Sequence, residues 1–223
     1  VAAAVRVWNI DGQSFTMDEL NDLGVARADG DLVEIIKGGK RFPPLYHLLL
    51  RAWLTVFGTD QSARWLSVVI GIVAVAAVWS LGRHVLGPKA GMWSAIVMVF
   101  SPFHIWYSQE TRVYGLYFLL ASLALLFFAR AMDGNTWTDW ISFAFAATCG
   151  MFTHYYFVVL VALTAAIVTW DRRDRRRLRR PLLAYASLLA VGVPWLLLLM
   201  TDLEAEWGAS QGSGFGLSGF GYT

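Results

Sequence analysis

The sequence predicts an all-α protein, a polytopic bundle of transmembrane helices, on the basis of three observations. Of its 223 residues, 57% are hydrophobic and only 15% are charged, whereas a soluble domain is about 45–50% apolar and about 25% charged. Several apolar runs approach the roughly 17–25 residues that cross a bilayer, and short connections separate them. The single cysteine, Cys149, lies inside an apolar run, which argues against a disulfide framework or a cysteine metal site.

We predict one transmembrane domain over residues 1–223. Residues 1–8 are the end of a first span, residues 9–62 an outer loop, residues 63–200 six further spans, and residues 201–223 a Gly-rich outer tail. The six spans are predicted at residues 63–83, 90–107, 113–131, 137–153, 155–170 and 182–200. Because the chain opens as a helix already under way and closes without a stop signal, we expect a fragment of a longer protein.

The outer loop carries structure of its own. Residues Ser14–Ala28 predict a helix, with Ser14 as its cap and the acids Asp18 and Glu19 in its early turns. Leu45–Phe57 is apolar but too short to span, and we predict a juxtamembrane helix that lies in the membrane interface.

An arginine-rich loop sets the orientation. Seven arginines lie between Arg172 and Arg180, directly after a predicted span. Lys and Arg stay on the cytoplasmic side of a membrane, so Asp18 and the turns at Glu110 and His154 are predicted to lie outside. We expect a plasma or inner membrane protein with an extracytoplasmic active face. A nucleic-acid role is not favoured, because the run is short and has no interleaved aromatic residues.

The turn at Gln109, Glu110 and Arg112 is the first candidate site. It lies between two apolar runs, at the membrane edge, where charges are costly and tend to mark function. A guanidinium suits a phosphate, and a carboxylate serves as a base or a metal ligand. The structural alternative is a Glu110–Arg112 pair that neutralises itself across the turn.

Two further clusters share the outer face in this topology. Asp18 and Glu19 are on one reading ordinary early-turn acids that complement the helix dipole. His154 is on the simpler reading a satisfied interfacial histidine, beside aromatic residues that form a belt at the lipid boundary. Taken together, the clusters suit transfer of a group from a lipid-linked phosphate to an acceptor, with Asp18 taking the acceptor's proton.

Four stretches resemble the N-terminal half of a GT-C type membrane glycosyltransferase, in the group of protein O-mannosyltransferases, aminoarabinose transferases and related bacterial mannosyltransferases. They are GQSFTMDELNDL, the FPPLYHLLLRAWLTVF helix, SPFHIWYSQETRVYGLYFLL and THYYF, spread in order over roughly residues 8–170.

The resemblance implies a transferase that uses a polyprenyl-phosphate sugar, mannose-like, with inversion. It implies that Asp18 is the catalytic base, with Glu19 its neighbour in the motif. Glu110 and Arg112 would lie beside the carrier phosphate, and Gln109, Tyr114 and His154 are further substrate-binding candidates. The expected partners are the polyprenyl-phosphate sugar donor, membrane lipids, and a protein, lipid or glycan acceptor, with no nucleic acid.

The chain departs from the family pattern at two places. Phe42 stands where many relatives have a His or a Glu, so we expect no obligatory cofactor or metal, although a divalent cation is possible. Leu20, Asn21 and Asp22 replace the small and aromatic residues common after the acidic pair, which leaves the sugar and acceptor open. The alternative functions are a transporter or flippase for a lipid-linked substrate and a non-catalytic membrane subunit.

Overall fold

The computed structural model describes residues 1–10, 12, 14–27, 43–170 and 178–212. Within these residues the protein is all-α and contains no strand, which confirms the predicted all-α class. The α-helices are α1 (Ala2–Val7), α2 (Met17–Arg27), α3 (Leu45–Phe57), α4 (Ala63–Leu86), α5 (Pro88–Phe100), α6 (Pro102–Gln109), α7 (Tyr114–Gly134), α8 (Trp137–Met151), α9 (Phe157–Trp170) and α10 (Arg179–Gly212).

Helices α4 and α7 form the centre of the bundle and pack against each other. Asp60–Leu86, which includes α4, and Tyr114–Gly134 are the two segments in the described part that are long and apolar enough to cross a membrane. Fully buried alanines, Ala74 on α4 and Ala124 on α7, belong to the core of the bundle. Small side chains of this kind permit the close helix approach that membrane proteins favour.

The outside of the bundle is apolar. On α5, Trp93 and Val97 are 61% and 66% exposed, and on α8 Phe145 is 71% exposed. Large apolar side chains in such number are costly against water but not against lipid tails. The composition of these surfaces and the two long apolar helices therefore make this a membrane protein. That six segments between residues 63 and 200 cross the membrane stays a prediction.

The predicted span over residues 90–107 is wrong as a continuous helix. The chain breaks at Ser101, whose backbone is extended, and α6 begins at Pro102. A proline lacks the N–H of a continuing helix and disfavours helical geometry in the residue before it. The Ser101 hydroxyl then caps α6 by accepting a hydrogen bond from the backbone N–H of His104 at 3.4 Å.

The first loop folds against the bundle through α2 and α3. The predicted helix over Leu45–Phe57 is confirmed, with Tyr46 and Leu50 fully buried on its inner face. Its first residue, Leu45, donates a backbone hydrogen bond to the carbonyl of Phe152 at 2.9 Å, which ties the loop to the end of α8.

Two predicted boundaries differ from the structure. The cap of α2 is Thr16 and not Ser14, because the Thr16 hydroxyl accepts the hydrogen bond from the backbone N–H of Glu19. At the other end of the chain, α10 runs on to Gly212, into the predicted tail, because the stretch after Met200 is rich in Leu, Glu and Ala, which favour helix. The predicted helix end at Ala28, the loop over 171–177, residue Phe42 and the tail over 213–223 lie outside the described residues.

Candidate functional site

The site is built on one turn, Glu110–Arg112, and on the helix α2 that faces it. The turn is tight, since the backbone N–H of Arg112 donates to the carbonyl of Glu110 at 2.9 Å. Three acids of α2 contact the turn or its side chains: Asp18, Glu19 and Asp22. The three acids differ in their burial and in their ion-pair and hydrogen-bond partners.

Arg112 bridges two of these acids. Its guanidinium contacts the carboxylates of Asp18 and Asp22, each at 3.3 Å. Asp18 and Asp22 are four residues apart on α2 and therefore lie on one face of the helix. The side chain of Asp18 is 68% exposed, whereas those of Arg112 and Asp22 are only 12% and 9% exposed. The site thus has a solvent-facing carboxylate beside a guanidinium that is mostly enclosed.

The buried acid, Asp22, has a second partner. The Nε2 atom of His47 on α3 lies 2.9 Å from a carboxylate oxygen of Asp22, and both side chains are almost fully buried. A buried carboxylate with two such partners is held in one position. Asp22 in turn holds the Nη1 atom of Arg112, whereas the exposed Asp18 contacts the Nη2 atom.

Burial acts to lower the pKa of Arg112, but a hydrogen bond with Tyr114 and the charges of Asp22 and Asp18 outweigh it and raise that pKa. The guanidinium also lies over the ring of Tyr114, at 5.4 Å from the ring centre. Arg112 is therefore a fixed positive charge between an acidic side and an aromatic side.

Glu19 has a structural role. It is fully buried and accepts two hydrogen bonds from Arg64, both at 3.0 Å. It also accepts from the backbone N–H groups of Thr111 and Thr16, each at 2.9 Å, and the second bond completes a capping box at the start of α2. Glu19 thereby fixes α2 to the start of α4 and to the turn that carries Arg112.

The electrostatics of Glu19 follow from these partners. Burial alone would raise the pKa of Glu19. The hydrogen bonds from Arg64, Thr111 and Thr16 and the charge of Arg64 outweigh that effect, so the pKa is lowered and the carboxylate stays ionised.

Glu110 and Gln109 line a cleft together with residues that follow α1, Asn9 and Ile10. Gln109 donates from its amide to the carbonyls of Arg6 and Trp8, which fastens the turn to the end of α1.

Glu110 shares this cleft with Glu19. The cleft has about 20 Å³ of free volume, which is room for about one water molecule. Burial raises the pKa of Glu110, helped by the charge of Glu19 and opposed by a hydrogen bond with Trp106 and by nearby arginines. The ion pairs of Arg112 go to Asp18 and Asp22 and not to Glu110, so the self-neutralising pair is not the arrangement found.

Aromatic rings continue the site beyond Arg112. The ring of Tyr114 lies 6.4 Å from that of His154, and His154 stacks on Tyr156 at 5.2 Å. Tyr155 lies 4.6 Å from the same histidine and is 40% exposed. His154 itself is buried, and this burial lowers its pKa, which favours the neutral ring.

The structure thus divides the predicted residues into two groups. Asp18, Arg112, Tyr114 and His154 form a continuous chain of contacts through Arg112 and the aromatic rings. The other group anchors the turn and consists of Glu19, Gln109 and Glu110. No role was predicted for Asp22, His47 or Arg64, although the spacing of Asp18 and Asp22 on one helix face was a usable signal.

The chain matches one known protein family over most of its length. The dolichyl-phosphate-mannose-protein mannosyltransferases match the chain over residues 41–198. The chain belongs to this family. Membership makes it a membrane glycosyltransferase of the mannosyltransferase type, and it confirms the GT-C resemblance. Neither a curated protein nor a solved structure matches the chain.

The range that matches the family includes one side of the site and not the other. Residues 41–198 include Arg112, Tyr114, His154 and the two residues that hold the acids of α2, His47 and Arg64. Helix α2 itself lies before that range, so the roles of its acids rest on their contacts. Among the described residues, no group of three His, Cys, Asp or Glu side chains is placed to hold a metal ion, and metal dependence stays untested.

Proposed function

We propose that the protein transfers a mannose-type sugar from a polyprenyl-phosphate donor to an acceptor hydroxyl on the extracytoplasmic face, with inversion at the sugar carbon. The observation that carries this proposal is the 3.3 Å contact between the exposed Asp18 carboxylate and the enclosed Arg112 guanidinium. It joins a group suited to take a proton and a group suited to hold a phosphate.

Arg112 would receive the donor phosphate. Its Nη1 atom is held by the buried Asp22, so the Nη2 atom, which the exposed Asp18 contacts, is the one that a phosphate would meet. A phosphate offers the planar fork two oxygens and competes with the single contact to Asp18. Arrival of the donor would therefore release the Asp18 carboxylate next to the bound phosphate.

The reaction would be a single displacement. The acceptor hydroxyl oxygen attacks the anomeric carbon of the sugar, and the bond from that carbon to the phosphate oxygen breaks. The hydroxyl proton passes to Asp18, and the polyprenyl phosphate leaves with its negative charge on Arg112. A base on one face and a cation on the leaving group are the two requirements of an inverting transfer.

The aromatic rings would supply the sugar-binding surface. Tyr155 and Tyr156 are 40% and 60% exposed and stand beside His154, which contacts Tyr114 next to Arg112. A sugar attached to a phosphate on Arg112 would lie within reach of these rings. The buried position of Glu19 supports a role in fixing α2, and Gln109 and Glu110 would position the turn rather than bind the sugar directly.

The placement of the site at the outer face rests on the distribution of charge. The arginine-rich loop after α9 belongs on the cytoplasmic side, which puts the Arg112 turn on the other side by alternation of spans. The acceptor in this topology is a protein, lipid or glycan outside the cytoplasm, and the donor arrives from within the bilayer.

The proposal is tested with Arg112→Gln and Arg112→Lys in reconstituted membranes supplied with radiolabelled polyprenyl-phosphate mannose. We expect transfer from this donor by the wild-type protein. Arg112→Gln should lower kcat/KM by about 30- to 150-fold, since a charge-assisted phosphate contact contributes roughly 2–3 kcal/mol. The lysine variant should recover part of the loss because it keeps the charge but not the fork.

The matched control is Arg27→Gln, which removes a cation from α2 that pairs with Asp60 away from the site. It should transfer at close to the wild-type rate. Wild-type rates in Arg112→Gln would refute the proposed phosphate contact and leave the non-catalytic reading of the fold in its place.

A further inference from the structure

A second polar cavity lies at the opposite end of the two central helices. It has a volume of about 520 Å³, and its lining residues are Trp79, Ser80, Arg83, His84, Leu126 and Arg130. The first four residues belong to the last turns of α4, and the others to the second half of α7. At about 1.5 Å per residue, the rise along α4 from Arg64 to Arg83 is about 28 Å. The cavity therefore belongs to the other membrane boundary and is separate from the Arg112 site.

The cavity carries positive charge that its own walls do not neutralise. In the part of the chain that the structure describes, neither Arg83 nor Arg130 lies within ion-pair distance of a carboxylate. The nearby acid Asp133 is paired with His84 at 3.1 Å. Two guanidinium groups thus line the cavity, and the acid of α7 near it, Asp133, contacts His84 and neither arginine.

Basic side chains at helix C-termini complement the helix dipole, and this effect accounts for their presence but not for a cavity between them. A volume of about 520 Å³ lies within the range of about 300–1,000 Å³ that is usual for ligand sites. The backbone behind it is fixed, because a Cβ atom on Gly91 of α5 would lie only 2.7 Å from the backbone of Arg83 and Trp79. The wall that carries Arg83 is held in place by this helix contact.

The surroundings of the cavity suit a lipid and not a free ion. The guanidinium of Arg83 lies over the Trp79 ring at 5.3 Å, and this ring is 40% exposed. Tryptophan of this kind is typical of the boundary between lipid and water. Apolar side chains on the same stretches of α4 and α7 are exposed as well: Val85 and Leu86 at 56% and 76%, and Leu125 at 38%. An apolar surface next to a phosphate site is what the acyl chains of a lipid would cover.

We propose that this cavity binds the head group of an anionic glycerophospholipid at the membrane boundary opposite the Arg112 site. Arg83 and Arg130 hold the phosphate, and the acyl chains lie along the exposed apolar side chains at the ends of α4 and α7. Inorganic phosphate shares the charge chemistry but leaves that apolar surface uncovered. The proposal is independent of the sugar transfer, because the residues and the membrane boundary are different.

The test is the thermal unfolding of the full chain in a neutral detergent. Three additives are compared: short-chain phosphatidylglycerol, phosphatidylcholine with the same acyl chains, and inorganic phosphate. We expect phosphatidylglycerol alone to raise the Tm, with a shift that grows with its concentration as binding to the folded state requires. In the double variant Arg83→Gln, Arg130→Gln the concentration needed for a given shift should rise at least tenfold. Arg27→Gln, which removes one cation outside the cavity, should respond like the wild type.

Three results would overturn the proposal: an equal shift with phosphatidylcholine, an equal shift with inorganic phosphate, or an unchanged response in the double variant. Should the double variant not fold, native mass spectrometry of the wild type in mixed lipid decides instead. Selective retention of phosphatidylglycerol on the released protein supports the site, and equal retention of both lipids rejects it.

Discussion

At the scale of single residues, three acids within five positions of α2 have three separate roles. Asp18 is exposed and contacts Arg112, Glu19 is buried and pairs with Arg64, and Asp22 is buried and contacts both His47 and Arg112. Adjacent residues on a helix point in directions about 100° apart, which is why Asp18 and Glu19 face different surroundings. The acidic pair of the sequence motif is thus one candidate base and one structural acid.

Replacing Glu19 tests this division. Glu19→Gln removes the carboxylate that pairs with the buried guanidinium of Arg64, and breaking a buried pair of this kind costs about 3–5 kcal/mol. We expect a large drop in the free energy of unfolding, measured by denaturant titration in detergent. Asp18→Asn is the matched control, since its side chain is 68% exposed and its loss should leave stability close to that of the wild type. Equal effects of the two changes would contradict the division.

The same pair predicts a pH dependence of stability. The pKa of Glu19 is lower in the folded protein than in the unfolded chain. Its contribution to stability is therefore fully present above the unfolded value, near 4.5, and is lost as the pH falls through the lower folded value. Between neutral pH and about pH 3, the difference in stability between wild type and Glu19→Gln should shrink. A constant difference over that range would show that the pair is not the source of the stability.

At the scale of elements, the long apolar runs were predictable and the breaks between them less so. Helix α4 begins at residue 63 as predicted, and α3 has the predicted bounds. Both agree because each helix coincides with an apolar run that is visible in the sequence. The break at Ser101 was missed, since the apolar run continues across it although Pro102 marks it. The cap at Thr16 was missed because Ser14 and Thr16 are equally good caps by residue type.

The candidate site was predictable only in part. Arg112 stood out as a charge at the membrane edge, and that signal is local. The pairs Arg64–Glu19 and His47–Asp22 join residues 45 and 25 positions apart, so they depend on how α2 folds back onto the bundle. A single sequence does not show such contacts, and Arg64 and His47 therefore carried no signal of their own.

The contact of α4 with α5 gives a prediction at this scale. Gly91→Ala puts a Cβ atom 2.7 Å from backbone atoms of α4, closer than packed atoms can lie. The two helices must shift, and overpacking of this kind costs about 1–3 kcal/mol. The matched control is Gly24→Ala on α2, where no atom lies within 4 Å; it should stabilise by up to about 1 kcal/mol because alanine favours helix. Thermal unfolding of both variants in one detergent checks the sign, and equal signs would contradict the packing.

At the scale of the whole molecule, the bundle has two polar ends and an apolar middle. One end carries the Arg112 site, built by α2, α3 and the turn before α7, and the other carries the basic cavity of α4 and α7. The family range spans both ends, and membership makes the molecule a glycosyltransferase. Membership of this family does not favour a transporter. Because α2 lies before the range that matches the family, the proposal that Asp18 is the base rests on the contacts of α2.

The measurement that tests the central claim most directly is a comparison of donor binding and sugar transfer in Asp18→Asn. If Asp18 is the base and Arg112 holds the phosphate, the variant should bind polyprenyl-phosphate mannose at least as tightly as the wild type, because a competitor for the guanidinium has lost its charge. Its single-turnover transfer rate should fall by about 100-fold or more, the usual contribution of a positioned base. Transfer at the wild-type rate, with donor binding intact, would show that Asp18 is not the base.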